Sequence, residues 1–116
     1  MKIRIKGNSL RYRLTRTDVD TFTKSGYLEE QTNFGNAKLT YAIQSSDTDT
    51  LTSTFKDNKI TLLMPHHFVK EWAETDRVGF ENRTPQFFLL VEKDFKYLDN
   101  VEEDQSDNYP NPLANK

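Results

Sequence analysis

The longest run of hydrophobic residues in this sequence is Phe87-Phe88-Leu89-Leu90-Val91. Pro85 precedes the run, and Glu92-Lys93-Asp94 follows it. Residues of both parities are apolar, which is typical of a strand whose two faces are both covered. The pattern therefore predicts a central strand at 87–91.

Alternation of charged and apolar residues predicts a hairpin at the start of the chain. Residues 2–6 and 10–14 alternate in opposite parity on either side of Gly7-Asn8. A two-residue turn there puts all apolar pairs on one face and all basic pairs on the other. The predicted pairs are Ile5 with Leu10, Ile3 with Tyr12, Arg4 with Arg11, and Lys2 with Arg13. One long strand with a bulge at Gly7 changes parity in the same way, so both topologies remain open.

A first helix is predicted from Thr15 to about Ser25. Asp18 follows Thr15 at the spacing of a capping box, and Leu14 and Val19 have the spacing of a hydrophobic staple. Gly26 predicts the end of the helix, because glycine readily adopts the left-handed conformation there.

The middle of the chain predicts a run of consecutive strands at 27–34, 39–43, 51–56 and 59–64. A turn at Asp57-Asn58 pairs Phe55 with Ile60, Leu51 with Met64 and Thr54 with Thr61. We expect the last three of these strands to form a meander. No internal repeat is evident from the residues.

A second helix is predicted from Pro65 through about Thr75, with Phe68 and Trp72 on one face. A short strand at 78–82 then leads to the central run. The predicted fold is α+β, with an antiparallel-rich sheet or a partly closed barrel of about six to eight strands and two short helices.

Charge divides the chain into a basic body and an acidic tail. The chain of 116 residues has a net charge of −2. Residues 98–116 contain five acids and one lysine, a net charge of −4, so residues 1–97 have a net charge of +2. We expect a single domain at 1–97 and an extended or disordered acidic tail at 98–116.

Composition excludes several classes of function. A sequence pI near 5.7 argues against a general binder of nucleic acid or of membrane surfaces. The absence of cysteine excludes disulfides, thiolate nucleophiles and cysteine-bound zinc. With neither a signal region nor a membrane-spanning segment in the sequence, we expect a cytoplasmic protein.

Basic residues on one side of the first two strands form the leading candidate site. We call this set the basic face: Lys2, Arg4, Lys6, Arg11 and Arg13. Like charges opposite one another destabilise a sheet unless they are neutralised. An anionic ligand can do so through bidentate arginine contacts, and so can the chain's own acids. A solvated face with no ligand is the simpler interpretation of such a pattern.

Two further clusters of residues are weaker candidates for a functional site. His66 and His67 are candidate acid or base residues on pKa alone. His67 lies four positions before Glu71, but a metal site needs a third ligand that the spacing does not supply. The tail acids around Glu102 lack the glycine and the final glutamate of a calcium loop. We therefore expect no metal and no cofactor.

Three segments resemble a family of short bacterial proteins classified as a domain of unknown function. They are Met1–Leu14, Leu90–Lys96 and Asp107–Pro112. The resemblance extends over nearly the whole chain and implies no activity.

These observations favour a non-enzymatic domain that binds an anionic small molecule or an acidic partner segment, with Arg4, Arg11 and Arg13 as the principal contacts. The alternatives are an enzyme that acts on a phosphorylated or carboxylated substrate and a module that associates with itself. The sequence leaves the oligomeric state open.

Overall fold

The computed structural model describes residues 1–95 and Tyr109. Within them, eight strands and two helices follow one another along the chain. In order they are β1 (Lys2–Lys6), β2 (Ser9–Leu14), α1 (Arg16–Ser25), β3 (Tyr27–Asn33), β4 (Lys38–Ser46), β5 (Thr52–Lys56), β6 (Lys59–Pro65), α2 (His66–Glu74), β7 (Gly79–Arg83) and β8 (Phe88–Lys93). The predicted α+β class is confirmed, and the predicted acidic tail lies outside the described residues apart from Tyr109.

The strands form two open sheets of four. Sheet 1 has the order β1-β2-β8-β7, and sheet 2 has the order β3-β4-β6-β5. In each sheet the outer pairs are antiparallel, and the central pair is parallel. The open-sheet form of the prediction is therefore the observed one, and each sheet is mixed.

The first hairpin and the first helix form as the sequence predicts. The register pairs Ile5 with Leu10 and Arg4 with Arg11, as expected for a turn at Gly7-Asn8. Thr15 and Asp18 form the predicted capping box at the start of α1. Gly26 ends the helix with a φ of 77°, in the left-handed region that glycine tolerates.

The predicted meander is wrong, although its second hairpin is correct. Phe55 pairs with Ile60 and Thr54 with Thr61, but β4 pairs with β6 and not with β5. The reason is polarity. β4 and β6 both supply buried apolar side chains and take central places, whereas the polar β5 takes an edge.

Two smaller expectations also need correction. Strand β8 lies inside sheet 1, as predicted for the central run, but Phe88 and Leu90 on its outer face are only partly buried. Pro65 ends β6 and is the N-cap of α2, so it precedes the first helical turn.

The described part of the chain contains two matching halves, residues 2–46 and 52–93, each with the order strand, strand, helix, strand, strand. In each sheet the first hairpin of one half pairs with the second hairpin of the other half. The strand registers of the two sheets correspond as well. Leu10 pairs with Leu89 in sheet 1, and the equivalent residues Ile60 and Tyr41 pair in sheet 2. Loop hydrogen bonds repeat too: Phe88 N donates to Asn8 O, and Thr40 N donates to Asn58 O.

This duplication contradicts the absence of a repeat in the sequence analysis. Between residues 6 and 26, only Lys6, Asn8 and Val19 are identical to the residues 50 positions later. What the halves share is the pattern of buried positions. Phe22 and Trp72, for example, are counterparts, and both are fully buried.

One core lies between the two sheets and the helices. Tyr12 of β2 is fully buried, and its hydroxyl donates to the carbonyl of Ile60 in sheet 2. Burial raises the pKa of this hydroxyl. The side-chain amide of Asn82 in sheet 1 also donates to the carbonyl of Leu51, just before β5. These two polar contacts hold the inner face of sheet 1 against sheet 2. The outer face of sheet 1 therefore points away from the core.

Candidate functional site

The five residues of the basic face all lie on the outer face of sheet 1. The buried residues of β2 are Leu10, Tyr12 and Leu14, so Arg11 and Arg13 point to the opposite side. The register places Arg4 beside Arg11 and Lys2 beside Arg13. The hairpin thus brings together the cations that the sequence analysis singled out.

Two carboxylates from the end of sheet 1 contact this face. Arg13 Nε donates to Glu92 Oε1 at 2.8 Å, and Arg11 Nε lies 4.0 Å from the same oxygen. Lys2 Nζ lies 3.3 Å from Asp94 Oδ2. Glu92 is 7% exposed and Asp94 follows β8 directly, so β8 supplies a partial internal counterion for the basic face.

A shallow cavity of about 340 Å³ opens among the cations. Its lining residues are Lys2, Ile3, Arg4, Arg11 and Arg13. An arginine guanidinium offers donors in a planar fork that fits a carboxylate or a phosphate. Three arginines around one cavity are therefore suited chemically to hold an anion.

A second cavity of about 520 Å³ adjoins the first through Arg11. It extends over β8 and β7, and its lining includes Phe88, Leu90 and Arg83. The guanidinium of Arg83 lies over the ring of Phe88 at 4.4 Å from its centroid. Together the two cavities make a continuous surface that is cationic at one end and partly aromatic at the other.

Sheet 2 provides an internal comparison for this surface, because its outer face has the same backbone register. The counterparts of Lys2, Arg4, Arg11 and Arg13 are Thr52, Thr54, Thr61 and Leu63. The counterpart of Glu92 is Gln44. The same fold therefore forms with neutral residues at these positions, and the charges of sheet 1 are not required by the architecture.

The histidines lie elsewhere. His66 begins α2 at the end of β6, in the other sheet, and it does not line either cavity of the basic face. His66 Nδ1 contacts Ser45 Oγ at 2.5 Å, and His66 Nε2 lies 3.0 Å from Asp47 Oδ1. Sequence reasoning missed this contact because β4 and β6 pair in parallel, which brings residues 45 and 66 together.

The Ser45, His66 and Asp47 contacts form a chain of polar groups on the surface. The side chain of His66 is 60% exposed, and that of Asp47 is 99% exposed. A catalytic acid that orients a histidine is normally buried and hydrogen-bonded, as in a serine hydrolase triad. His67 is exposed, and its ring packs edge-on against Phe68.

Within residues 1–95 and Tyr109, no group of three His, Cys, Asp or Glu side chains is placed to hold a metal ion. The helices in this part of the chain are also too short or too polar to cross a membrane. The acids around Glu102 fall in the undescribed region.

Comparison with known proteins adds a family and no activity. A search of curated proteins found no match. The model of a family of unknown function, DUF7009, matches residues 1–113. Because this match covers nearly the whole chain, the protein belongs to the DUF7009 family.

Proposed function

We propose that this chain is a non-enzymatic binding domain whose basic face holds an anionic small molecule or an acidic segment of a partner protein. Arg4, Arg11 and Arg13 are the principal contacts, and Lys2 and Lys6 flank them. The observation that carries the proposal is the comparison between the two sheets. Cations occupy four outward positions in sheet 1 where the matching half has threonine or leucine.

The energetics of the face support a binding role. Arg4 and Arg11 are directly paired positions, so two positive charges lie side by side on neighbouring strands. Like charges in this arrangement destabilise a sheet. Glu92 and Asp94 place carboxylates beside these cations, and an incoming anion would add a further favourable interaction with them. Binding should therefore raise the stability of the fold.

The test is isothermal titration calorimetry with inorganic tripolyphosphate and with a short polyglutamate peptide, in about 0.05 M and 0.15 M salt. The variant is Arg4→Gln with Arg11→Gln, which leaves the Arg13–Glu92 contact in place. Hydrogen bonds to charged groups contribute roughly 1.5–3 kcal/mol each, so the loss of two should weaken the affinity of the double variant by at least about 100-fold.

A matched control removes two positive charges from the outer face of sheet 2. Lys56 and Lys59 are paired positions there, and K56Q/K59Q gives the same change in net charge. We expect this control to bind within about twofold of the parent chain, because the outer faces of the two sheets point away from each other and salt screens charges at such distances. Equal losses in both double variants, or no binding of either probe to the parent chain, would refute the proposal.

The enzyme alternative requires that the arginines and a histidine contact the same substrate molecule. The lining of the two cavities includes neither His66 nor His67. Only under this alternative should His67→Ala keep affinity and lose turnover, and that outcome stays a prediction. Self-association is also untested, and light scattering at several dilutions would detect it. The expected cytoplasmic location and bacterial origin likewise stay predictions.

A further inference from the structure

The two cavities on sheet 1 differ in chemistry, and their arrangement specifies the anion more closely. We propose that the bound anion carries a flat ring, as a nucleoside phosphate does, with its phosphates on the basic face and its ring over Phe88. This inference rests on the proposed function, because it uses the same arginines for the charged part of the ligand.

The geometry places the two recognition elements side by side. Arg11 pairs with Leu90, and it lines both cavities. Adjacent strands lie about 4.8 Å apart, so the arginines of β2 are one strand away from the apolar side chains of β8. One small molecule can contact both regions at once.

The ring-binding end of the surface consists of stacked planar groups. Arg83 lies over Phe88 on the outer face, with its guanidinium 4.4 Å from the ring centroid, whereas Phe80 is buried beneath Arg77 and stacks on Phe68 in the core. Aromatic faces and guanidinium planes are the groups on which nucleic-acid bases stack. A further flat ring would stack on the outer plane of the Arg83 guanidinium, above the ring of Phe88.

The matching half again serves as a comparison. The counterparts of Phe88, Leu90 and Arg83 in sheet 2 are Thr40, Ala42 and Gln31. The fold therefore does not require an aromatic ring or a stacked arginine at these outward positions. Four of the five cations of the basic face and the aromatic ring of Phe88 occur together in sheet 1, and neutral, non-aromatic residues replace them in sheet 2.

The experiment compares adenosine triphosphate with inorganic tripolyphosphate by calorimetry on the full chain, without added metal. The two probes share three phosphoryl groups, and only one has a ring. Stacking of a base on an aromatic side chain should make adenosine triphosphate bind about tenfold tighter. Phe88→Leu keeps an apolar side chain on β8 and removes the ring, so it should abolish this difference and leave tripolyphosphate affinity unchanged.

The control is Phe55→Leu, which removes an exposed ring from the edge of sheet 2 and should leave both affinities unchanged. Equal affinities of the parent chain for the two probes would overturn the ring proposal and leave the anion site intact. An equal loss of both affinities in Phe88→Leu would overturn it too. If neither probe binds to the parent chain, the ring proposal is wrong, and the proposed function is wrong as well if the polyglutamate peptide also fails to bind.

Discussion

Arg13 and Glu92 are paired positions on parallel strands, and the guanidinium of Arg13 donates to the carboxylate of Glu92 at 2.8 Å. Their side chains are 26% and 9% exposed. Glu92 thus occupies, within the chain itself, the place that an anionic ligand would compete for. We therefore expect this internal carboxylate to set how strongly the basic face attracts other anions.

Replacing Glu92 with glutamine should strengthen anion binding. The amide keeps the size of the side chain and removes a negative charge that lies 2.8 Å from Arg13 and 4.0 Å from Arg11. We expect tripolyphosphate affinity to rise about tenfold, as for the removal of one close like charge. Calorimetry with Glu74→Gln, an exposed acid at the end of α2 that lines neither cavity of sheet 1, provides the control. A weaker affinity in E92Q would mean that Glu92 supports the ligand site.

Removing the other partner should lower stability instead. In Arg13→Gln the buried carboxylate of Glu92 loses its closest hydrogen-bond donor, which costs about 1–3 kcal/mol of unfolding free energy. Adding E92Q to this variant removes the unpaired charge and should recover most of the loss. Urea unfolding of the two single variants and the double variant measures the coupling. Additive effects would contradict the predicted interaction.

The α-amino group of Met1 should make stability depend on pH at both ends of the range. Its nitrogen lies 2.7 Å from Asp18 Oδ2 and 2.8 Å from Glu30 Oε2. Burial acts to lower the pKa of this ammonium, but the bonds to Asp18 and Glu30 outweigh it and raise the pKa. Burial acts to raise the pKa of Asp18, but its bonds to the ammonium and to Thr15 lower it.

The direction of each pH effect on stability follows from the protonation state that the folded chain favours. The contribution of Met1 is present below the ordinary α-amino range, near pH 8, and is lost as the pH rises through its raised pKa. That of Asp18 is present above about pH 4 and is lost as the pH falls through its lowered pKa. Urea unfolding of a chain with a free amino terminus should show both losses. Asp18→Asn should reduce both, whereas Asp20→Asn, at an exposed position of α1, should leave both.

Replacing Gly79 with alanine should destabilise the fold more than replacing Gly7 with alanine. A steric clash opposes the first substitution, and only the backbone conformation opposes the second. A Cβ at Gly79 would lie 2.1 Å from the carbonyl oxygen of Val91, which is backbone and has no room to move. At Gly7 there is open space, and only the φ of 52° disfavours alanine, by roughly 1–2 kcal/mol. We expect thermal unfolding to show a clearly larger loss for Gly79→Ala. Similar melting temperatures for the two variants would contradict this.

Much of the local structure follows from the sequence, because its signals act over a few residues. The turn at Gly7-Asn8, the capping box at Thr15 and Asp18, and the pairing of Phe55 with Ile60 all depend on near neighbours. The basic face could be predicted for the same reason, since alternation along one hairpin determines which side chains share a face.

The parallel pairs could not be predicted in this way. Whether β4 lies beside β5 or beside β6 depends on which of these two strands can take a central place in the sheet, with a neighbouring strand on each side. The alternation of apolar and polar residues alone does not decide this. Glu92 was not predicted to contact the basic face for the same reason, because its contact with Arg13 joins the parallel strands β2 and β8. The duplication was hidden because the two halves share the pattern of buried positions, and not residue identities, at counterparts such as Phe22 and Trp72.

The exchange of hairpins between the halves also sets an order of folding. Sheet 2 joins β4 and β6 through neighbours such as Ile43 and Leu62, only 19 positions apart, whereas the Arg13–Glu92 contact of sheet 1 closes a separation of 79. Short loops close with a smaller loss of chain entropy, so sheet 2 should form early and the β2–β8 seam late. The basic face and its aromatic neighbour are continuous only across that seam. A ligand that spans the seam can therefore bind only to chains that have finished folding.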